Sequence, residues 1–362
     1  MVIAMSKHSR RATRPVSVGS MCIGGDAPVS VQTMTNTDTC DVDATVVQIR
    51  SAAAAGAHLV RVAVPSIDAA AALRDIIPAV SVPIVADIHF DYRLAIAAVT
   101  AGAHKLRINP GNIGNDQRLG AVAEAAKDAG IPIRVGVNAG SLERELLERY
   151  GSPTAEALCE SALRSVERMH RLGCDDLVVS IKASDVPTTV AATRKFAAQS
   201  DLPLHLGITE AGIGRSAIVH SAVGLGILLA EGIGDTIRVS VTGDIVQEVL
   251  TGRDILLSLG LISGPRLVSC PTCARCKVNL EALAEQVQEL ISGLEQPLLV
   301  AVMGCEVNGP GEAREADVGL AAGDGRVALF RRGEVIKTVK MECAFDALSE
   351  LIAETVASDF TA

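Results

Sequence analysis

An alternation constrains the fold of this chain more than any other feature. Short runs rich in Val, Ile and Leu recur at 29–36, 58–64, 83–89, 105–112, 131–138, 177–184, 203–210 and 236–243. Ala-rich segments of helical character lie between them, among them 43–55, 67–77, 118–129 and 155–172. A strand, a helix and a second strand in succession pair the two strands in parallel, because parallel strands need a crossover of that length. Eight such units over about 240 residues predict an α/β protein built on a closed TIM (β/α)8 barrel. A doubly wound open sheet is the alternative, but no G-x-G-x-x-G follows the first strand. A short hairpin at 16–25 precedes the barrel. The chain has no Trp and only 2% aromatic residues, so its core must be aliphatic.

The strands carry an anomaly. Parallel strands buried on both faces should read as nearly continuous Val, Ile and Leu, yet five of these carry a cation: Arg61, Arg107, Arg134, Lys182 and Arg238. A single buried cation reads as half of a salt bridge; five in one barrel point to an anionic ligand. Residues two apart on a strand share a face. Asp87 therefore lies with His89, Arg107 with Asn109, Arg134 with Asn138, Lys182 with Ser184, and Arg238 with Ser240. Most of these positions fall near C-terminal strand ends, where barrel enzymes place their active sites. Glu210 adds a carboxylate at the end of the seventh run. Several cations with Asn and Ser between them suit a diphosphate or bis-phosphate. Asp87, His89 and Glu210 are candidates for proton handling or hydroxyl recognition. His58, His104, His205 and His220 are read as core or structural histidines.

The net charge of −9 argues against a nucleic-acid binder, and any anionic ligand must be held by a local pocket. The first fifteen residues carry Lys7, Arg10, Arg11 and Arg14 but no apolar stretch, so they read as a loose tail and not a signal peptide. The apolar segment 217–230 is too short to span a bilayer and contains His220 and Ser221. The expectation is a soluble cytoplasmic protein, without membrane association, whose thiols stay reduced.

A second domain is expected over 263–362, after a barrel domain at 1–262. It reads as a small α+β unit: a strand at 266–269, a helix at 280–294, a strand at 298–303, a hairpin at 326–339 and a helix at 346–356. It opens with Cys270-Pro-Thr-Cys273-Ala-Arg-Cys276, and Cys305 follows within Gly304-Cys305-Glu306-Val307-Asn308-Gly309-Pro310-Gly311-Glu312. An overlapping C-x2-C-x2-C run resembles iron–sulfur spacing, whereas zinc sites usually pair two separated doublets. Taken alone, the spacing makes Cys276 the fourth ligand. A non-redox barrel transferase with a structural zinc domain is the alternative reading. A nucleic-acid-binding iron–sulfur sensor would need a basic stripe or recognition helix, and none is visible.

The motifs VQTMTNTDT, RVAVPS, VADIHFDYRLA, KLRINPGNIG, RVGVNAGSLE, SIKAS, GITEAG, SCPTCARC and GCEVNGPGEA occur in this order along nearly the whole chain. In this the sequence closely resembles the 4-hydroxy-3-methylbut-2-enyl diphosphate synthase family, in its short bacterial form. The resemblance implies a TIM barrel joined to a [4Fe–4S] domain. It implies reductive ring opening and dehydroxylation of 2-C-methyl-D-erythritol 2,4-cyclodiphosphate, with electrons from flavodoxin or ferredoxin. It also implies Cys270, Cys273, Cys305 and Glu312 as cluster ligands, which leaves Cys276 a bystander. Arg61, Arg107, Asn109, Arg134, Asn138, Lys182, Arg238 and Ser240 match the family's substrate site, and Asn308 is expected to meet the substrate. Glu210 is assigned as the acid or hydroxyl-contacting group, and Asp87 and His89 fall in matched motifs.

A topological expectation stands beside the resemblance. In a (β/α)8 barrel the closing helix ends at the face opposite the catalytic one. Residues 259–265 extend at most about 25 Å, about the length of the helix they would have to retrace. A head-to-tail homodimer, with each cluster domain facing the partner's barrel, is therefore expected, in agreement with the dimeric assembly that the resemblance implies.

Overall fold

The computed structural model describes residues 10–276, 278–294, 296–305, 314–323 and 325–359. These residues divide into two compact units, one ending at Leu261 and the other beginning at Ile262.

The first unit opens with an antiparallel hairpin of β1 (Val16–Val18) and β2 (Met21–Ile23). Eight parallel strands follow: β3 (Ser30–Met34), β4 (Leu59–Ala63), β5 (Ile84–Asp87), β6 (Lys105–Ile108), β7 (Ile133–Asn138), β8 (Leu177–Lys182), β9 (His205–Leu206) and β10 (Thr236–Ile237). They pair in the order β8-β7-β6-β5-β4-β3-β10-β9. A parallel bridge between Val179 and Leu204 brings β8 to the residue before β9 and completes the ring. The barrel expected from the alternation is therefore the observed fold.

Between the strands lie α1 (Val42–Ala54), α2 (Ile67–Ile76), α3 (Tyr92–Thr100), α4 (Pro110–Ile113), α5 (Asp116–Asp128), α6 (Arg144–Tyr150), α7 (Ala155–Arg171), α8 (Val186–Ala197) and α9 (Gly214–Ala230), and α10 (Ile245–Ser258) closes the ring. Local chemistry sets where many of these helices begin. Asp41, Ser66, Asp91, Asn115, Thr154, Asp185 and Asp244 each accept a backbone N–H of the helix they precede. Helix exits also repeat. The segment Ala-Gly-Ala-His occurs at 55–58 and 101–104, with Gly56 at φ 99° and Gly102 at φ 95°. That left-handed turn ends each helix. It delivers the Nδ1 atoms of His58 and His104 to the backbone N–H groups of Val31 and Ile84, both at 3.0 Å. The bland reading of these two histidines holds.

The hairpin has a defined place. Val16, Val18 and Ile23 pack with Leu59, Val85 and Val178, all essentially buried, at the start of β4, β5 and β8. This apolar cluster seals the N-terminal end of the barrel. Side-chain alternation then fixes what stands above it. Arg61, Asp87 and Ser180 are two residues further along the same inward faces, and Lys182 is four further along β8.

Every barrel strand is shorter than its apolar run: the run over 105–112 keeps only Lys105–Ile108 before α4 begins, and the last two shrink furthest. The ladders over 203–210 and 236–243 reduce to His205–Leu206 and Thr236–Ile237. Glu210 and Ser240 therefore stand on loops beyond the strands, as does His89 beyond β5. Just past β9 the backbone passes close to a buried cation, since a Cβ at Gly207 would lie 2.5 Å from Lys182 Nζ and 2.9 Å from the Arg238 carbonyl oxygen.

The second unit is a five-stranded mixed sheet, ordered β11 (Pro265–Ser269), β12 (Leu298–Met303), β13 (Val318–Ala322), β14 (Arg326–Arg331) and β15 (Glu334–Lys340). β11 to β13 are parallel and β13 to β15 antiparallel. Helices α11 (Leu280–Ser292) and α12 (Ala344–Asp359) bury their apolar sides in a shared core with this sheet. Sequence reading missed β13, because Val-Gly-Leu-Ala-Ala lacks the composition of a strand. Its Gly319 is a packing requirement. A Cβ there would meet Ala301 O at 2.4 Å and the Phe330 ring at 2.5 Å.

Ile23 is wholly buried in the floor cluster. Ile23→Ala is expected to lower barrel stability by about 2–5 kcal/mol. Urea unfolding followed by circular dichroism measures this, and an unchanged midpoint would mean that the hairpin does not brace the ring.

Candidate functional site

Above the apolar floor the barrel interior turns polar and cationic. Arg61, Lys105, Arg107, Arg134 and Lys182 come from β4, β6, β7 and β8, and Arg238 follows β10. Arg134 and Lys105 are the two largest fully buried side chains among the described residues. Glycine makes room for two of the others. The Cβ position of Gly136 lies 3.0 Å from Arg107 Nε, as the Gly207 position lies against Lys182.

Two carboxylates answer part of this charge. Asp87 Oδ1 accepts from Arg107 Nη1 at 3.1 Å, and its Oδ2 lies 3.2 Å from His89 Nε2 and 4.0 Å from Arg61 Nε. Burial alone would raise the Asp87 carboxyl, but Arg61, the His89 hydrogen bond and Arg107 outweigh it and hold it well below the usual carboxylate range. Asp87 is thus an anion near neutral pH, suited to fixing Arg107 and not to delivering a proton. Glu248, on α10, takes Arg238 through both of its oxygens at 2.9 and 3.0 Å. Between the two arginines lies Met34, whose sulfur accepts from Arg61 Nε at 2.9 Å.

The deeper cations have no such partner. Arg134 leaves Nε and Nη1 without a hydrogen bond among the described residues, and Lys105 leaves Nζ so. Lys182 Nζ meets only His205 Nε2 among the described residues, at 3.4 Å. Burial first, then repulsion from Arg134 and Arg61, drives the Lys105 and Lys182 ammonium groups well below their ordinary range. His205 is pushed down likewise by burial, then Arg134 and Lys182. Arg61 falls to about 10, through burial against the partial relief of Asp87. Buried polar atoms of Ser30, Gln32 and Thr236 are also unpartnered among the described residues. Such a chamber fits a ligand bearing several anionic oxygens.

The amide residues serve partly as scaffolding. Asn109 Oδ1 caps α4 through the Gly111 N–H at 3.1 Å, and its Nδ2 donates to Ser141 Oγ at 3.0 Å. Asn138, with its amide turned as its neighbours require, accepts from Arg107 Nη2 at 3.1 Å. Ser240 is half-buried. Glu210 is exposed and sits at φ 53°, in the left-handed region. For a residue with a Cβ that conformation costs about 1–2 kcal/mol, and such strain concentrates at functional sites.

Sequence reading missed three residues here. His205 was set aside with the structural histidines, yet it lies against Lys182. Lys105 shares the inward face of Arg107, and that parity was its available signal. Glu248 interrupts the buried stripe Ile245, Val249, Gly252, Leu256 of α10, where a carboxylate has no place without a partner.

The second unit gathers thiols around one turn. The Gly304 N–H donates to Cys270 Sγ at 3.3 Å, and a Cβ at Gly304 would come 2.6 Å from Cys276 Sγ. Cys305 is the next residue, and is buried. The Cys276 N–H closes a turn onto the Cys273 carbonyl at 2.9 Å. Cys273 is exposed, and its thiol is lowered chiefly by a backbone hydrogen bond from Arg275. Among the described residues no three His, Cys, Asp or Glu side chains converge closely enough to hold a metal ion. The donor set is nonetheless that of a thiolate-bound centre, beside a glycine whose Cβ position is crowded by Cys276 Sγ. Asn308 and Glu312 lie outside the described residues.

Residues 13–253 match the GcpE TIM-barrel domain, and residues 266–354 match the GcpE protein C-terminal domain. A relative from Geobacter sulfurreducens, named 4-hydroxy-3-methylbut-2-en-1-yl diphosphate synthase (flavodoxin), is 56% identical over 337 residues, spanning 93% of this chain and 96% of its own. One of the same name from Caldanaerobacter subterraneus is 52% identical over 348 residues, spanning 96% of this chain and 98% of its own. Among solved structures, a dihydropteroate synthase from Stenotrophomonas maltophilia superposes with a TM-score of 0.51 at 14% identity, over 68% of this chain and 97% of that one. At that identity the likeness speaks for the barrel fold alone.

A lysine whose folded pKa is lowered binds fewer protons folded than unfolded. Its destabilising effect is complete below the lowered value and fades as pH rises toward the ordinary 10.5. Lys182→Met is therefore expected to stabilise the ligand-free barrel by about 1–3 kcal/mol near neutral pH, with a smaller gain in more alkaline buffer. The same variant should weaken binding of inorganic diphosphate at least about tenfold. Thermal melts across pH and calorimetric titration check both, and a destabilised variant that binds normally would contradict the anion-site assignment.

Proposed function

The chain belongs to the GcpE family, and from that membership we propose that it is a 4-hydroxy-3-methylbut-2-enyl diphosphate synthase, an iron–sulfur oxidoreductase. It converts 2-C-methyl-D-erythritol 2,4-cyclodiphosphate to (E)-4-hydroxy-3-methylbut-2-enyl diphosphate in the non-mevalonate isoprenoid pathway. Flavodoxin, carried in the names of its relatives, is the donor assigned to it. The non-redox transferase with a zinc domain is not favoured, since near-full-length relatives bear the reductive enzyme's name.

The observation that supports the substrate class is the burial of Arg134, Lys105 and Lys182 together, none of them in an ion pair among the described residues. In the proposed site Arg61, Arg107, Arg134, Lys182 and Arg238 grip the diphosphate, and Asn109, Asn138 and Ser240 complete the wall. Asp87 orients Arg107, and His89 orients Asp87. Glu210 holds the substrate hydroxyl and gives its proton to the leaving oxygen. The ring C–O bond to phosphate breaks, the hydroxyl leaves as water, and two electrons are consumed. Cys270, Cys273, Cys305 and Glu312 are assigned as ligands of a [4Fe–4S] cluster, and Asn308 as a substrate contact. When bound, that cluster supplies the electrons singly.

The assembly assigned is a head-to-tail homodimer, and the location cytoplasmic, with neither nucleic acid nor membrane as a partner. No helix among the described residues is long and apolar enough to cross a membrane. Light scattering at micromolar concentration should give twice the chain mass, and a monomer or tetramer would refute the dimer.

An anaerobic assay with the cyclic diphosphate and a chemical reductant tests the reaction itself. Cys305→Ser should lose both the cluster's broad absorbance and turnover, with far-ultraviolet dichroism retained. Glu312→Ala should loosen the cluster and spare the fold. If it behaves as wild type while Cys276→Ser loses the cluster, the fourth ligand is Cys276. Glu210→Gln should lower kcat by about 10²–10⁴-fold, the range of a lost general acid.

A further inference from the structure

Glu248 is buried and receives four hydrogen bonds, two on each carboxylate oxygen. Oε2 accepts from Arg238 Nε at 3.0 Å and from Thr33 Oγ1 at 2.7 Å. Oε1 accepts from Arg238 Nη2 at 2.9 Å and from the Val241 N–H at 3.2 Å. One side chain of α10 thus ties together β3, the guanidinium of Arg238 and the backbone just after Ser240. Two of those, Arg238 and Ser240, are groups assigned above to the substrate.

We infer that Glu248 is a positioning residue of the substrate site: it sets the plane of the Arg238 guanidinium and fixes the backbone that presents Ser240. The inference rests on the reading of Arg238 as a ligand of the diphosphate. A stabilising role alone accounts poorly for the arrangement. Buried ion pairs contribute little net stability over apolar side chains of the same volume, whereas bidentate Arg–carboxylate geometry fixes orientation tightly. The two edges of Arg238 are also used differently. Its Nε and Nη2 are spent on Glu248, while Nη1 points toward Met34 Sδ at 3.9 Å, a weak acceptor that an anion displaces. Clamped on one edge, Arg238 offers the other without first having to find its orientation.

The test is steady-state kinetics of the anaerobic holoenzyme, with thermal melts and titration of inorganic diphosphate alongside. Glu248→Gln keeps the shape and loses the charge. It should raise KM about tenfold with kcat changed less than about threefold, while Glu248→Asp recovers part of the loss. Arg238→Gln should raise KM at least as much, and adding Glu248→Gln to it should change KM by less than about twofold, since nothing is left to orient. Effects that multiply, or a Glu248→Gln protein with a lowered melting point and unchanged KM, would overturn the inference. Wild-type KM in Arg238→Gln would overturn the substrate assignment of Arg238. An impaired Arg238→Gln beside a normal Glu248→Gln would overturn the positioning role alone. Should Glu248→Gln fail to fold, Glu248→Asp and Thr33→Val make the same comparison against Arg238→Gln.

Discussion

Repulsion between like charges held out of water governs this barrel. Arg134, Lys105 and Lys182 stand within one aliphatic shell, and neither Asp87 nor Glu248 pairs with any of them. Burial and mutual repulsion bear on all three. Such an interior persists only because the surrounding ring is over-determined: parallel strands, capped helices and an apolar floor hold the backbone whatever the charges prefer. The binding free energy of an anion then has a ready source, since neutralising these groups removes a penalty already present in the folded chain.

The two carboxylates near the mouth divide the remaining work. Asp87 is shared among Arg61 of β4, Arg107 of β6 and His89 on the loop after β5, so its charge is spread across three neighbours. Glu248 is devoted to one arginine and to the backbone beside it. The first moderates charge and the second imposes geometry. Alternation along β5 turns Asp87 inward, whereas Glu248 reaches the site from α10.

Much of this was legible in the amino-acid order, and the exceptions have physical causes. Alternating strands and helices gave the ring, and parity along the strands picked out Arg61, Arg107, Arg134 and Lys182. Parity stopped helping where strands end early: Glu210 and Ser240 stand on loops, and the left-handed backbone of Glu210 has no marker in composition. Glu248 escaped because its partner is ten residues away and on another element. His205 escaped because a lone histidine on an apolar run usually satisfies a core hydrogen bond, as His58 and His104 do. β13 escaped because small residues were needed under Phe330, and small residues do not spell a strand. For the fourth cluster ligand, spacing and family resemblance point to different residues, and the spacing itself does not distinguish a sulfur from an oxygen further along the chain.

The β1–β2 hairpin has one more consequence. With Val16, Val18 and Ile23 packed against Leu59, Val85 and Val178, apolar side chains close the N-terminal end of the barrel. In the site proposed above, reactant and product then share the opposite rim. The next molecule therefore waits for the previous one to clear, and anything that crowds that rim slows arrival and departure together.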